Sequence, residues 1–185
     1  MNRSVWMAAL LGCAFVAATA FAGDVKSGPE VGKTIPGPFT PLHCNGPTED
    51  QKVCLVCKNG SNPVAMIFAR DTSDNLTALI KKIDAATVDH LDKKMGSFVV
   101  FCSDDEALKG RLKDLAKNEK LKEMVLSIDQ PTGPEAYKVS KDADVTVVLY
   151  NNRVVKANYA FKKGELKEAD IKSIMQDLDK MLSDK

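Results

Sequence analysis

Two near-continuous apolar runs constrain this chain more than any other feature: Pro63-Val64-Ala65-Met66-Ile67-Phe68-Ala69 and Ser97-Phe98-Val99-Val100-Phe101-Cys102. Neither alternates polar with apolar residues, so each reads as a strand covered on both faces, the pattern of a parallel sheet. Parallel strands need a crossover between them, and the intervening residues supply one. Leu76, Leu79, Ile80 and Ile83 recur at helical spacing, and Ser73 or Asp74 can cap that helix. After the second run, Ser103 or Asp104 is positioned to cap another helix, with Ala107, Leu108, Leu112 and Leu115 inward.

Lys122 to Ile128 reads as a third strand. Gln130-Pro131-Thr132-Gly133-Pro134 then breaks the chain before a short helix or turn at Glu135 to Val139. Val145 to Tyr150 and Arg153 to Ala157 flank Asn151-Asn152 as a hairpin. Leu166 to Leu182 closes the chain as an amphipathic helix, with Ile171, Ile174, Met175, Leu178 and Leu182 on one face. Strands alternating with helices imply right-handed parallel crossovers, and the closing hairpin adds antiparallel edges. The expected class is α/β, a three-layer α/β/α sandwich around a central mixed sheet.

Upstream of this unit the chain changes character twice. Residues 1–22 have the form of a secretory signal peptide: Arg3 in a positive start, an apolar stretch from Val5 to Ala18, and Ala20-Phe21-Ala22 before Gly23. The apolar stretch is shorter than the ~20 residues that cross a bilayer, which favours removal over anchoring. Leu10-Leu11-Gly12-Cys13 resembles a lipobox, but Ala14 to Ala22 stays apolar, so lipidation at Cys13 is the minority reading. Residues 23–46 follow as an extended segment in which Pro36, Pro38 and Pro41 forbid a helix interior, and 47–185 form the domain. The expected destination is outside the cytoplasm, secreted or periplasmic.

A net charge of +1 with acidic and basic residues mixed throughout, and no basic stripe, excludes a nucleic-acid partner. No membrane association is expected once the signal is removed. Asn59-Gly60-Ser61 and Asn75-Leu76-Thr77 match glycosylation sequons, a pattern short enough to arise by chance.

Val31-Gly32-Lys33-Thr34-Ile35-Pro36-Gly37-Pro38-Phe39 resembles the opening segment of redoxins, where Gly, Pro and Phe precede a short N-terminal hairpin. Val145 to Val155 resembles the strand, two-residue turn and strand that follow the cis-proline of thioredoxins. The resemblance, over most of residues 31–182, is to the thioredoxin-like superfamily, in its redoxin and peroxiredoxin branch. It implies a thioredoxin-like fold with one extra βα unit and thiol–disulfide chemistry with protein thiols or disulfides as partners. Two positions depart from the pattern. Redoxins place the reactive cysteine after the first core strand, and here Ala69-Arg70-Asp71-Thr72-Ser73-Asp74-Asn75 contains none. Where thioredoxins carry the cis-proline, this chain has Val145.

The cysteine pair Cys54-Leu55-Val56-Cys57 is the sharpest chemical signature. A CxxC spacing can close a disulfide ring, share a metal, or take a haem through two thioethers. In the redox reading Cys54 and Cys57 are the catalytic residues, one attacking and the other resolving. Because the pair precedes the Lys58-Asn59-Gly60-Ser61-Asn62 turn, no helix is expected to depress a thiol pKa, and Lys52 and Lys58 supply the only nearby positive charge. In the structural reading a bridge closes within the pair, or runs from either cysteine to Cys44. A thiolate metal site would draw on Cys44, Cys54, Cys57 and either His43 or Cys102, but no second CxxC completes it. A haem site would need His where Lys58 stands. The leading expectation is no metal and no cofactor, with two alternatives kept: a non-catalytic thioredoxin-fold binding domain with structural disulfides, or a thiolate metal site.

Among the remaining candidates, Cys102 reads as a small core residue and Arg70 as an anion holder or surface ion-pair partner. His90 reads as solvated, and Tyr137, Tyr150, Tyr159 and Phe161 as packing.

Overall fold

The structure is a computed structural model that describes residues 25–183. Residues 1–22, where a signal peptide is expected, lie outside the described residues, and Cys13 with them. In chain order the elements are β1 (Leu42–His43), α1 (Leu55–Asn59), β2 (Val64–Ala69), α2 (Asp74–Asp89), β3 (Gly96–Cys102), α3 (Leu108–Asn118), β4 (Val125–Asp129), β5 (Val145–Asn151), β6 (Val154–Phe161) and α4 (Glu168–Ser183). The described strands form one six-stranded sheet in the order β1-β4-β3-β2-β5-β6. Strands β4, β3 and β2 run parallel, while β1, β5 and β6 add antiparallel neighbours.

The two apolar runs sit where their composition demands. Every residue of β2 is buried, and β3 is buried from Ser97 to Cys102. Because side chains alternate across a strand, each run feeds two cores. Ala65, Ile67 and Ala69 join Val99 and Phe101 against Leu76, Leu79, Ile80 and Ile83 of α2, Leu108 and Leu112 of α3, and Ile171, Ile174 and Leu178 of α4. Both parallel crossovers step the same way along the sheet, so right-handedness places α2 and α3 on one face.

Val64, Met66, Phe68, Phe98, Val100 and Cys102 point to the other face. There the covering layer is thinner: α1 contributes Leu55 and Val56, a 3-10 turn at Glu135–Tyr137 contributes Tyr137, and the N-terminal segment contributes Ile35 and Phe39. Phe39, Phe68 and Tyr137 form an aromatic triad with ring centroids 4.9 to 6.1 Å apart. The expected third layer is present, built from short pieces rather than a long helix.

Local signals act as their chemistry requires. Ser73 caps α2 by accepting from the Leu76 N–H. Helix α3 starts later than expected, because Ser103 and Asp105 spend their side chains on a turn, accepting from the Asp105 and Ala107 N–H groups. The β5–β6 hairpin turns one residue later than expected: Asn151 ends β5, and Asn152 and Arg153 take the positive φ of a two-residue loop. Asn59-Gly60, a residue pair typical of two-residue hairpin turns, forms no hairpin here. Gly60, at φ 55°, ends α1 and donates its N–H to the Val56 carbonyl.

Asp84 ties α2 to the start of β4. Its buried carboxylate accepts from the N–H groups of Lys122, Glu123 and Met124. The N-terminal segment is fastened to β6 by backbone bonds from Gly32 to Val155, Val155 to Lys33 and Ile35 to Arg153. Asn158 adds its amide to the Ser27 and Pro29 carbonyls. One edge of the sheet is thereby covered by the N-terminal segment.

Candidate functional site

Cys54 and Cys57 are joined in a disulfide, with Cα atoms 5.3 Å apart. A turn is expected here, yet a helix is present: Cys54 is the N-cap of α1, and its sulfur accepts from the Cys57 N–H at 3.1 Å. Five residues ended by Gly60 are too few to leave a readable periodicity, which is why the helix was not expected. The two sulfurs differ in setting. Cys57 is exposed, whereas Cys54 is half-buried and packs against the Leu55, Val56 and Met66 core.

The pair is anchored at both ends of α1. Asn59, in its last turn, donates to the Leu55 carbonyl and lies directly on Gly96, the first residue of β3. A Cβ at Gly96 would overlap that amide, so any larger residue there has to displace the Asn59 side chain. At the other end His43, fully buried on β1, places Nε2 3.2 Å from the Val53 carbonyl and Nδ1 2.6 Å from the Thr48 hydroxyl. A carbonyl only accepts, so Nε2 carries the proton and Nδ1 accepts from Thr48. Burial lowers the His43 pKa; the Val53 hydrogen bond opposes that shift and the Lys58 charge adds to it. The peptide leading into Cys54 is thus held by a neutral imidazole, a role that sequence inspection did not assign to His43.

The remaining cysteines are kept apart. Cys44 belongs to the helix-covered core and Cys102 to the opposite one, and both are free thiols. A bridge from Cys44 to the pair, one of the sequence alternatives, is not formed. Among the described residues, no group of three or more His, Cys, Asp and Glu side chains is arranged to hold a metal ion. Burial pushes the Cys44 thiol up to about 11 and the Cys102 thiol up to about 12. Neither is a nucleophile at neutral pH.

At the C-terminal end of β2, the position redoxins reserve for their cysteine is structural. Arg70 donates Nε to the Ala143 carbonyl at 3.1 Å, one terminal nitrogen to Pro131 at 2.7 Å and the other to Ser140 at 2.8 Å. The guanidinium is neither an anion holder nor an ion-pair partner; it staples three loop carbonyls. The stapled Pro131 loop closes over Cys102, since a Cβ at Gly133 would sit 3.1 Å from its sulfur.

The other sequence candidates resolve simply. Tyr137, Tyr150, Tyr159 and Phe161 are buried packing residues. His90 is not free, because its Nδ1 lies 2.9 Å from the Ala86 carbonyl. The sequon asparagines have structural duties: Asn59 supports α1, and Asn75 donates to the Leu166 carbonyl.

No family model matches the chain, and no curated protein is similar enough to align. Solved structures do match. A protein provisionally described as thiol:disulfide interchange protein DsbE from Chlorobium tepidum superposes with TM-score 0.61 at 18% identity, covering 83% of this chain and 99% of its own. A provisionally described protein disulfide isomerase from Bacteroides thetaiotaomicron gives 0.63 at 16% identity, covering 86% and 96%. The reduced 2-Cys peroxiredoxin of Plasmodium vivax gives 0.60 at 18%, covering 80% of each chain. The fold is thioredoxin-like. The cysteine pair of this thioredoxin-like domain lies at the start of α1, ahead of β2, and Arg70 directly follows β2.

Proposed function

We propose that this is an exported redoxin-like protein that carries out thiol–disulfide exchange through Cys54 and Cys57, with protein thiols or disulfides as partners. One observation carries the reading: the bridged pair includes an exposed cysteine, whereas the other two described cysteines are buried free thiols on opposite sides of the sheet. Exchange requires a sulfur that an external thiolate can reach in line, and Cys57 meets that requirement. A four-residue ring also constrains the unfolded chain weakly, contributing about 2 kcal/mol in the chain-entropy estimate. A bridge kept for stability alone gains more by closing a longer loop. Export rests on the form of residues 1–22 and would place the pair in an oxidising compartment.

The test is reduction of insulin by dithiothreitol in the presence of the full chain. Acceleration above dithiothreitol alone is expected, with loss of the acceleration in the Cys54→Ser/Cys57→Ser variant. A double variant as active as the parent would end the proposal.

The Arg70 staple favours one second reading, a thioredoxin-like binding domain whose usual site has been converted to structure and whose bridge is structural. Titration of thiols after mild dithiothreitol treatment of the folded protein separates the two. Exchange predicts that Cys54 and Cys57 become titratable, and a purely structural bridge predicts that they do not.

A further inference from the structure

We infer that the two sulfurs have fixed and unequal roles: Cys57 forms the mixed disulfide with the partner, and Cys54 is the leaving and resolving sulfur. This rests on the exchange reading above and assigns the chemistry within that same site.

Three observations set the polarity. Cys57 is exposed and Cys54 is half-buried against the apolar cluster of Leu55, Val56 and Met66. The Cys54 sulfur accepts the Cys57 N–H at 3.1 Å. The peptide preceding Cys54 is held to β1 by the buried imidazole of His43. A thiolate attacking a disulfide approaches along the S–S axis from behind the sulfur it attacks, so the sulfur it can reach is the one open to solvent. The other sulfur departs with the negative charge, and departure is faster where a donor already points at it. Cys54 has that donor and is held in place, whereas Cys57 has the access.

The exchange then balances as follows. A thiolate of a partner dithiol attacks Cys57 Sγ; a bond forms between partner sulfur and Cys57, and the Cys57–Cys54 bond breaks. Cys54 leaves as a thiolate against the Cys57 N–H and takes up a proton. The partner's second thiolate attacks its own bridged sulfur, which forms the partner disulfide and releases Cys57 as a thiolate that is protonated in turn. The partner loses two electrons and two protons, and the pair gains both. In the reverse direction Cys57 attacks a partner disulfide and Cys54 resolves the adduct.

Peptide-resolved mass spectrometry of the full chain decides the assignment. The pair is first reduced and then pulsed with limiting iodoacetamide near neutral pH, and adducts at Cys54 and Cys57 are counted separately. Alkylation at Cys57 is expected to outpace Cys54 by about tenfold or more. Separately, Cys54→Ser is expected to accumulate a stable adduct on Cys57 with 5,5′-dithiobis(2-nitrobenzoate), while Cys57→Ser accumulates little on Cys54. Faster alkylation at Cys54, or a preferred adduct there in Cys57→Ser, overturns the assignment while leaving the exchange reading intact, provided the reduced parent still recloses its bridge with the same reagent. Failure of the parent to reclose removes both. The alkylation measurement needs no substitution, so a variant that misfolds does not block the result.

Discussion

Cys44, Cys102 and His43 show how far burial resets the chemistry of single residues in this chain. With thiols pushed up to about 11 and about 12, Cys44 and Cys102 stay protonated at any pH where the protein would work. Neither should react with iodoacetamide at pH 8 in the folded protein, and both should react promptly in guanidinium chloride. Labelling of Cys102 without unfolding would show that the Arg70 staple opens. His43 makes a pH-dependent prediction. Its folded pKa lies below its ordinary 6.5, so between the two values the unfolded chain binds a proton that the folded chain does not. Stability should therefore be fully present above about pH 6.5 and fall as the solution is acidified through that window. In His43→Gln this fall should be smaller, and urea midpoints compared between pH 7 and pH 5 measure the difference.

At the scale of elements, what matters is how short pieces are seated. Helix α1 rests on the contact between Asn59 and Gly96, and Gly96→Ala forces that amide away. The expected cost is about 1–3 kcal/mol by urea denaturation, the range for overpacking a tight contact. Asn59→Ala in the same chain should recover part of it, since the two sites share one space. An additive double variant would mean that the methyl is accommodated elsewhere. Asp84 joins α2 to β4 in a similarly local way, and Asp84→Ala leaves the Lys122, Glu123 and Met124 N–H groups without their acceptor. A loss of about 2–4 kcal/mol is expected, and retention of full stability would show that water replaces the carboxylate. Some of these pieces could be anticipated. Ser73 is a good N-cap followed by an apolar period, and it caps α2. Asn59-Gly60 carries the same residues as a hairpin turn, but the five-residue helix before it turns the glycine into a helix stop.

For the whole molecule, the disulfide is a small part of what holds the fold. The larger core is made by β2 and β3 with α2, α3 and α4, away from the Cys54–Cys57 bond, and the opposite core takes only Leu55 and Val56 from the bridged helix α1. Reduced protein and Cys54→Ser/Cys57→Ser should therefore fold, losing no more than about 2 kcal/mol in urea relative to the oxidised chain. A collapse of the fold on reduction would mark the bridge as structural. The α/β class, the mixed sheet and the closing hairpin were legible because each rests on local information: a doubly buried strand must be apolar throughout, a helix must repeat at 3.6 residues, and a two-residue turn needs residues that tolerate positive φ. The presence of the CxxC was legible for the same reason, being a matter of spacing. Its surroundings were not. That Cys57 faces solvent, that buried His43 holds the peptide before Cys54, and that Arg70 staples the Ala143, Pro131 and Ser140 carbonyls all depend on how separate parts of the chain pack together. Sequence alone determined which strands had to be buried and left the pairing of the sulfurs open. Only the tertiary structure decided which sulfur is accessible, because exposure is set by whatever the rest of the chain packs against it.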